Sequence, residues 1–216
     1  MVTKASLKDK KILVTCGPTW VAIDDVRVIS NRSTGESGHT IVERLNKEGS
    51  SVTLLEGPVT HVLKSKPSKI IKFLFYDELQ RLLKKELEGK YDIVIHAAAV
   101  SDYQPKNAFG SKLSSAFSQI KLHLVPTAKL IEKIKKRNPK AFLVGFKLET
   151  HFNKELLLTQ ARHLAQRAHC NLVIANCQKG KDYLAYIIDQ KRNILATGRT
   201  RRDVARNLVK ILKERV

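Results

Sequence analysis

Lys11-Ile12-Leu13-Val14-Thr15-Cys16, closed by Gly17-Pro18, is the stretch on which the fold turns. It is an apolar run too short for a helix and ended by a turn pair, so it predicts a strand buried on both faces. Outward from it, residues 37–47 set Ile41, Val42 and Leu45 at helical spacing and run toward Gly49, a residue suited to a left-handed helix end. Residues 52–55 predict a second strand and residues 70–75 a third, with Asp77 as N-cap of a helix reaching Gly89. Residues 91–96 predict a fourth strand that runs into Ala97-Ala98-Ala99.

Further on, residues 119–125 alternate like a strand, 127–137 are helical, and 141–146 and 172–175 are buried strands around a helix over 154–169. Residues 183–189 and 192–196 read as a hairpin around a Gln-Lys turn, and the helix 201–215 closes the chain. Strands alternating with helices predict one α/β domain over 1–216: a Rossmann-like open, mostly parallel sheet with helices on both faces. The one long stretch without clear structure, residues 101–118 after the fourth strand, predicts a functional flap.

The 216 residues carry 40 Lys+Arg against 20 Asp+Glu, a formal charge of +20, which points toward anionic ligands. Its distribution points away from nucleic acid. Residues 12–60 hold Arg27, Arg32, Arg44 and Lys47 against Asp24, Asp25, Glu36, Glu43, Glu48 and Glu56, a net charge of −2. The excess sits mainly in the helical segments 129–140 and 199–215, where solvated faces explain it, and no basic–aromatic interleaving occurs. No apolar run nears the ~18 residues of a spanning helix, and no apolar signal core opens the chain, so a cytoplasmic protein without a membrane partner is expected. Three cysteines, Cys16, Cys170 and Cys177, include no C-x2-C pair, so neither a disulfide frame nor a zinc site is expected.

Open α/β sheets bind ligands beyond the carboxyl ends of their strands, so the chemistry is sought there. Gly17 follows the first strand without a G-x-G-x-x-G, and no Tyr-x-x-x-Lys pair occurs; both count against a nicotinamide-dependent oxidoreductase. Ser33, Gly35 and Gly38 open the first helix, where backbone N–H groups can meet phosphate; an ordinary Ser/Thr-capped helix is the competing reading. Ala97-Ala98-Ala99 lets a ligand approach the backbone or lets a helix pack closely, and Asp102 follows as a possible orienting carboxylate. Lys112 lies on the flap, and Phe146 and Asn176 end strands on the ligand side.

Taken in order, Ile12–Thr19, Asp25-Val26-Arg27-x-x-x-Asn31-x-Ser33-x-Gly35-x-x-Gly38, Glu56-Gly57-Pro58, Ala97–Tyr103, Lys112-Leu113-Ser114-Ser115, Val144–Thr150 and Val173–Asn176 resemble phosphopantothenoylcysteine synthetase, the phosphopantothenate–cysteine ligase of coenzyme A biosynthesis. Ten residues precede Lys11, so the resemblance implies the monofunctional form without a leading flavin-dependent decarboxylase. It implies that 4′-phosphopantothenate is activated by a nucleoside triphosphate, CTP or ATP, to an acyl-nucleotidylate that L-cysteine then attacks. By the same resemblance, Gly17, Ser33, Gly35, Gly38, Lys112, Phe146 and Asn176 would meet the nucleotide. Asn31, Ala98, Ala99 and Asp102 would hold the pantothenate arm, with Asn31 and Lys112 as catalytic groups. Arg27 would reach across a homodimer to the substrate phosphate, a task suited to its planar fork. Mg²⁺ would be held through nucleotide phosphates rather than by a protein cage.

The sequence departs from that pattern in three places. The flap reads Lys112-Leu113-Ser114-Ser115 where bacterial members have Lys-Ile-Lys-Lys. Val125-Pro126-Thr127 replaces Asn-Pro-Asp, and Pro18-Thr19-Trp20-Val21 replaces Pro-Thr-Arg-Glu. Phe146–Thr150 is nearer to eukaryotic members, whereas the short chain favours CTP over ATP.

Overall fold

The computed structural model describes residues 6–216. The first strand, β1 (Lys11–Cys16), is followed by a short hairpin, β2 (Trp20–Ala22) and β3 (Val28–Ser30), and by α1 (Glu36–Asn46). Next come β4 (Ser51–Glu56), β5 (Lys69–Lys72), α2 (Tyr76–Glu86), β6 (Ile93–His96) and β7 (Tyr103–Pro105). The second half is β8 (Leu124–Pro126), α3 (Leu130–Arg137), β9 (Phe142–Glu149), α4 (Lys154–Ala168), β10 (Leu172–Lys179), β11 (Asp182–Asp189), β12 (Ile194–Gly198) and α5 (Arg201–Arg215).

Eight strands form one sheet in the order β12-β11-β10-β9-β6-β1-β4-β5. From β5 to β10 every pairing is parallel; β11 and β12 add antiparallel at the far edge. Numbered along the chain, the six parallel strands run 3-2-1-4-5-6, the Rossmann order, and the direction of winding reverses between β1 and β6. β1 lies there because Ile12, Leu13 and Val14 are wholly buried, which only a strand covered on both faces permits. Alternate residues feed two cores. Ile12, Val14, Val52, Leu54, Ile93 and Ile95 pack beneath α1 and α5. Leu13, Leu55, Val94, Leu143 and Val173 pack beneath α2, α3 and α4. At roughly 1.5–3 kcal/mol per large side chain buried, these two layers dominate the stabilisation. Among the described residues no helix is long and apolar enough to cross a membrane.

The α/β architecture expected from the sequence is the one observed, with local corrections. Between β1 and α1, where the sequence predicts no element, β2 and β3 pair as Trp20↔Ser30, Val21↔Ile29 and Ala22↔Val28. The third strand ends at Lys72, because Leu74 and Phe75 turn their amides to the Glu78 carboxylate, at 2.7 and 3.0 Å. That bond also displaces the expected cap: α2 starts after Phe75, and Asp77 falls in its first turn. Residues 119–125 are strand only from Leu124, which pairs with Pro105 in the β7–β8 ladder. The loop that replaces the expected 101–118 flap therefore spans 106–123 and is closed at its root by Lys106 N–H to His123 O at 2.8 Å.

Candidate functional site

The strand order reverses between β1 and β6, and the segments that leave their carboxyl ends stay together. Ala99 N–H donates to Gly17 O at 2.9 Å and Thr19 N–H returns to Ala99 O at 3.3 Å. Thr19 and Ser101 reinforce this buried joint, with Ser101 N–H on Thr19 Oγ1 at 2.9 Å and Ser101 Oγ on Thr19 O at 3.1 Å. Asn31, just past β3, lays its amide over the joint: Nδ2 donates to Ala99 O and Val100 O, both at 3.1 Å. Asn31, Ala99 and Gly17, singled out separately in the sequence, thus meet at one point. Ala98 flanks it, its N–H on Thr15 Oγ1 at 3.2 Å.

The glycines next to this joint have structural causes of their own. Gly17 and Gly35 hold φ of +82° and +80°, and a Cβ on either would strike Val59 Cγ1, at 2.7 and 2.3 Å. Gly38 lets α1 press on β1; its Cβ would lie 2.3 Å from that of Cys16. Gly35 is the N-cap of α1 and brings no side-chain acceptor, so the competing Ser/Thr cap is not formed. Glu36 N–H meets Thr34 Oγ1 at a long 3.4 Å beside half-buried Ser33, at the positive end of the helix dipole.

Phe146 and Asn176 do not end their strands as expected: β9 and β10 each run three residues further, and both side chains lie within them on the face that α1 and α5 cover. Phe146 is half-buried and packs against that core. Asn176 is buried, and its Oδ1 has no hydrogen-bond partner among the described residues. An orphan buried acceptor costs ~1–3 kcal/mol, a cost that water or a ligand donor would relieve. Two concavities of about 350 and 380 Å³ lie elsewhere, one by α4 and the β11 turn, the other between the hairpin and α2. Chemistry, rather than cavity size, places the site.

The remaining candidates are engaged differently from expectation. Asp102 is exposed and pairs with Lys129, Nζ to Oδ1 at 2.5 Å. Arg27 bonds Asp24 Oδ2 at 2.8 Å and Leu113 O at 3.3 Å through Nη1. Lys112 is exposed, one residue from that clamp. Asp24, which the sequence reading passed over, is the hub: 4% exposed, it accepts from the N–H groups of Val26, Arg27 and Leu113 at 2.8, 2.7 and 3.0 Å. Those bonds, that of Leu113 foremost, hold its carboxyl down to about 2. Its signal was local, since an Asp two and three residues before free amides forms an Asx turn. His96 is buried against Thr15 Oγ1 at 2.9 Å, and desolvation pushes its imidazole down to about 4, so it is neutral at pH 7. The three cysteines are free and buried. The fold also gathers Cys16, His39 and Glu56, which lie far apart in sequence, with ligand atoms within 4.8 Å of one another.

The family described as the DNA/pantothenate metabolism flavoprotein C-terminal domain matches residues 7–215. The coenzyme A biosynthesis bifunctional protein CoaBC of Thermococcus kodakarensis is 40% identical over 178 residues, covering 81% of this chain and 43% of that protein. The chain spans about half the length of the curated relatives it matches. The crystal structure of the DNA/pantothenate metabolism flavoprotein from Streptococcus pneumoniae superposes with a TM-score of 0.85 at 29% identity, covering 95% of this chain and 99% of that one. A Cab2 mutant complex with phosphopantothenate-cysteine shares the fold, with a TM-score of 0.73 at 18% identity over 96% of this chain and 89% of that one. A match over nearly the whole chain, joined to a relative at 40% identity, assigns the sequence: the chain belongs to the DNA/pantothenate metabolism flavoprotein C-terminal domain family.

Proposed function

We propose that this domain joins 4′-phosphopantothenate to L-cysteine through an acyl-nucleotidylate formed from CTP or ATP. The observation that carries this reading is one juxtaposition: an α1 N-terminus without a side-chain cap stands beside a turn where Asn31 holds the carbonyls of Ala99 and Val100. A carboxylate is a poor electrophile, so the reaction needs a leaving group from a nucleotide, and the protein's share is positioning and charge stabilisation. The α1 amides would bind phosphate oxygens. Phe146 and Asn176 would meet the base, with the orphan Oδ1 taking an amino N–H, a group that cytosine and adenine both carry. Asn31 spends its Nδ2 on two carbonyls, so donation to a developing oxyanion requires it to release one of them.

Mg²⁺ fits here as a phosphate-borne ion. Two carboxylates of the region already face cations, Asp102 with Lys129 and Glu36 with Arg201, which suits an ion carried by the phosphates. Arg27 would serve a second protomer through Nε and Nη2, which keep no partner among the described residues, while Nη1 stays on Asp24 and Leu113. The test is pyrophosphate release, run in parallel with CTP and ATP, each with and without 4′-phosphopantothenate. Release that depends on the acid and on one base is expected; no release with either triphosphate rejects the reading.

A further inference from the structure

Cys16 and Glu56 are the last residues of β1 and β4 and sit opposite each other in the parallel register. His39, in the first turns of α1, descends onto them, and ligand atoms of all three lie within 4.8 Å of one another. The cluster is buried: Cys16 is 0%, His39 1% and Glu56 8% exposed. His39 Nε2 is 2.7 Å from Glu56 Oε1, and its Nδ1 is 3.1 Å from Nδ1 of His61. His61 is fixed in turn by its own N–H on Thr34 O at 3.1 Å. We propose that Cys16, His39 and Glu56 bind one borderline-soft divalent cation such as Zn²⁺, seated directly beneath the loop that opens α1.

Three features point to that class of ion. One sulfur, one imidazole nitrogen and one carboxylate oxygen form a mixed donor set that suits Zn²⁺, whereas Mg²⁺ and Ca²⁺ require oxygen shells. A thiolate and a carboxylate together balance a divalent charge in a site that excludes water. The second ring nitrogen of His39 already has the outer partner that a ligating histidine needs, since Nδ1–H can donate to His61. On binding, the His39 Nε2–H bond to Glu56 Oε1 breaks and the ring carries its proton on Nδ1, facing His61; the Cys16 S–H bond breaks, a Zn–S bond forms, and the thiol proton leaves to solvent. Without the ion, burial and the facing Glu56 charge push the Cys16 thiol far up, so it stays protonated. Lys72 Nζ, 4.0 Å from Glu56 Oε2, is the competing cation, and its side chain is 81% exposed and free to swing out. An occupied site would tie β1, β4 and α1 together below Gly38.

Cobalt is the probe. Protein stripped with chelator and desalted is titrated with Co²⁺, whose thiolate complexes show a near-ultraviolet charge-transfer band. The expected result is one equivalent bound per chain, displaced by Zn²⁺. The band is lost in Cys16→Ser and kept in the Cys170→Ser, Cys177→Ser double variant, whose sulfurs lie in the opposite core. Glu56→Gln, nearly isosteric, supplies the same readout should Cys16→Ser not fold, and about tenfold or more of the affinity for Co²⁺ should go. No band in wild type, an unchanged band in Cys16→Ser, or full affinity in Glu56→Gln would show a buried His39–Glu56 hydrogen bond only, and would overturn the proposal.

Discussion

Asp24 shows how one side chain can hold a long loop. Its carboxylate collects three backbone amides and the Arg27 guanidinium, and the Leu113 amide among them belongs to the 106–123 loop. The Asp24→Asn variant keeps the shape but replaces one acceptor oxygen with a donor, which faces either the Leu113 N–H and Arg27 or the hairpin amides. We expect several-fold faster proteolysis of the 106–123 loop with the overall fold retained; an unchanged cleavage rate would separate Asp24 from loop control. The sign with pH follows from the depressed carboxyl. The ordinary value is 3.8 and the folded one about 2, so the clamp's stabilisation is complete above the ordinary value and is lost as pH falls through about 2. His96 runs in a different window. Its folded value of about 4 lies below the usual 6.5, so the unfolded chain binds the extra proton, and stability falls as pH drops from 6.5 toward 4. The His96→Asn variant should flatten that part of the pH–stability curve measured by urea unfolding.

At the level of elements, two features contradict simple propensity. Alanine normally stabilises a helix by about 1 kcal/mol over glycine. In α1 the opposite is expected at position 38, because the added Cβ would stand 2.3 Å from Cys16 Cβ. Gly38→Ala should therefore destabilise, by roughly 1–3 kcal/mol in urea unfolding. At α2 the cap comes from Glu78, the fourth position from Phe75, rather than from the residue before the helix. Glu78→Ala should cost about 1 kcal/mol and Glu78→Gln less, since an amide oxygen can still accept. These examples mark how far the sequence is legible. The buried runs of β1, β4, β6, β9 and β10 are readable because apolar residues in short stretches have one economical arrangement. The β2–β3 hairpin and the β7–β8 ladder are three residues per strand, below the length at which periodicity carries information. Asn31, Ala99 and Gly17 are recognisable as polar, small and turn residues, but their meeting point follows from strand order. Cys16, His39 and Glu56 are invisible as a cluster for the same reason, since parallel pairing brings distant segments side by side.

For the whole molecule the question is what an excess of twenty positive charges does. Residues 12–60, which include the loop opening α1, Asn31 and the Asp24 clamp, are net −2, so the charge lies around the candidate site rather than in it. Several basic side chains are paired locally, Arg44 and Lys213 with Glu48, Arg206 with Asp203 and Arg215 with Asp189, and exposed pairs of this kind add little stability. The unpaired remainder forms a positive field, and the proposed substrates, a phosphorylated acid and a triphosphate, are both anions. Such a field raises the encounter rate without changing the bound geometry, and it is screened beyond about 10 Å at 0.1 M salt. We therefore expect kcat/KM to fall as a neutral salt such as KCl is raised from low to moderate strength, while kcat holds. Neutralising half-buried Lys133 and exposed Lys136 on α3 to Gln should reduce that salt slope and leave kcat unchanged. A kcat that falls in step with kcat/KM would place the salt effect on the chemistry instead. A steep salt-dependent affinity for single-stranded RNA, unaffected by substrate, would assign the field to a nucleic acid.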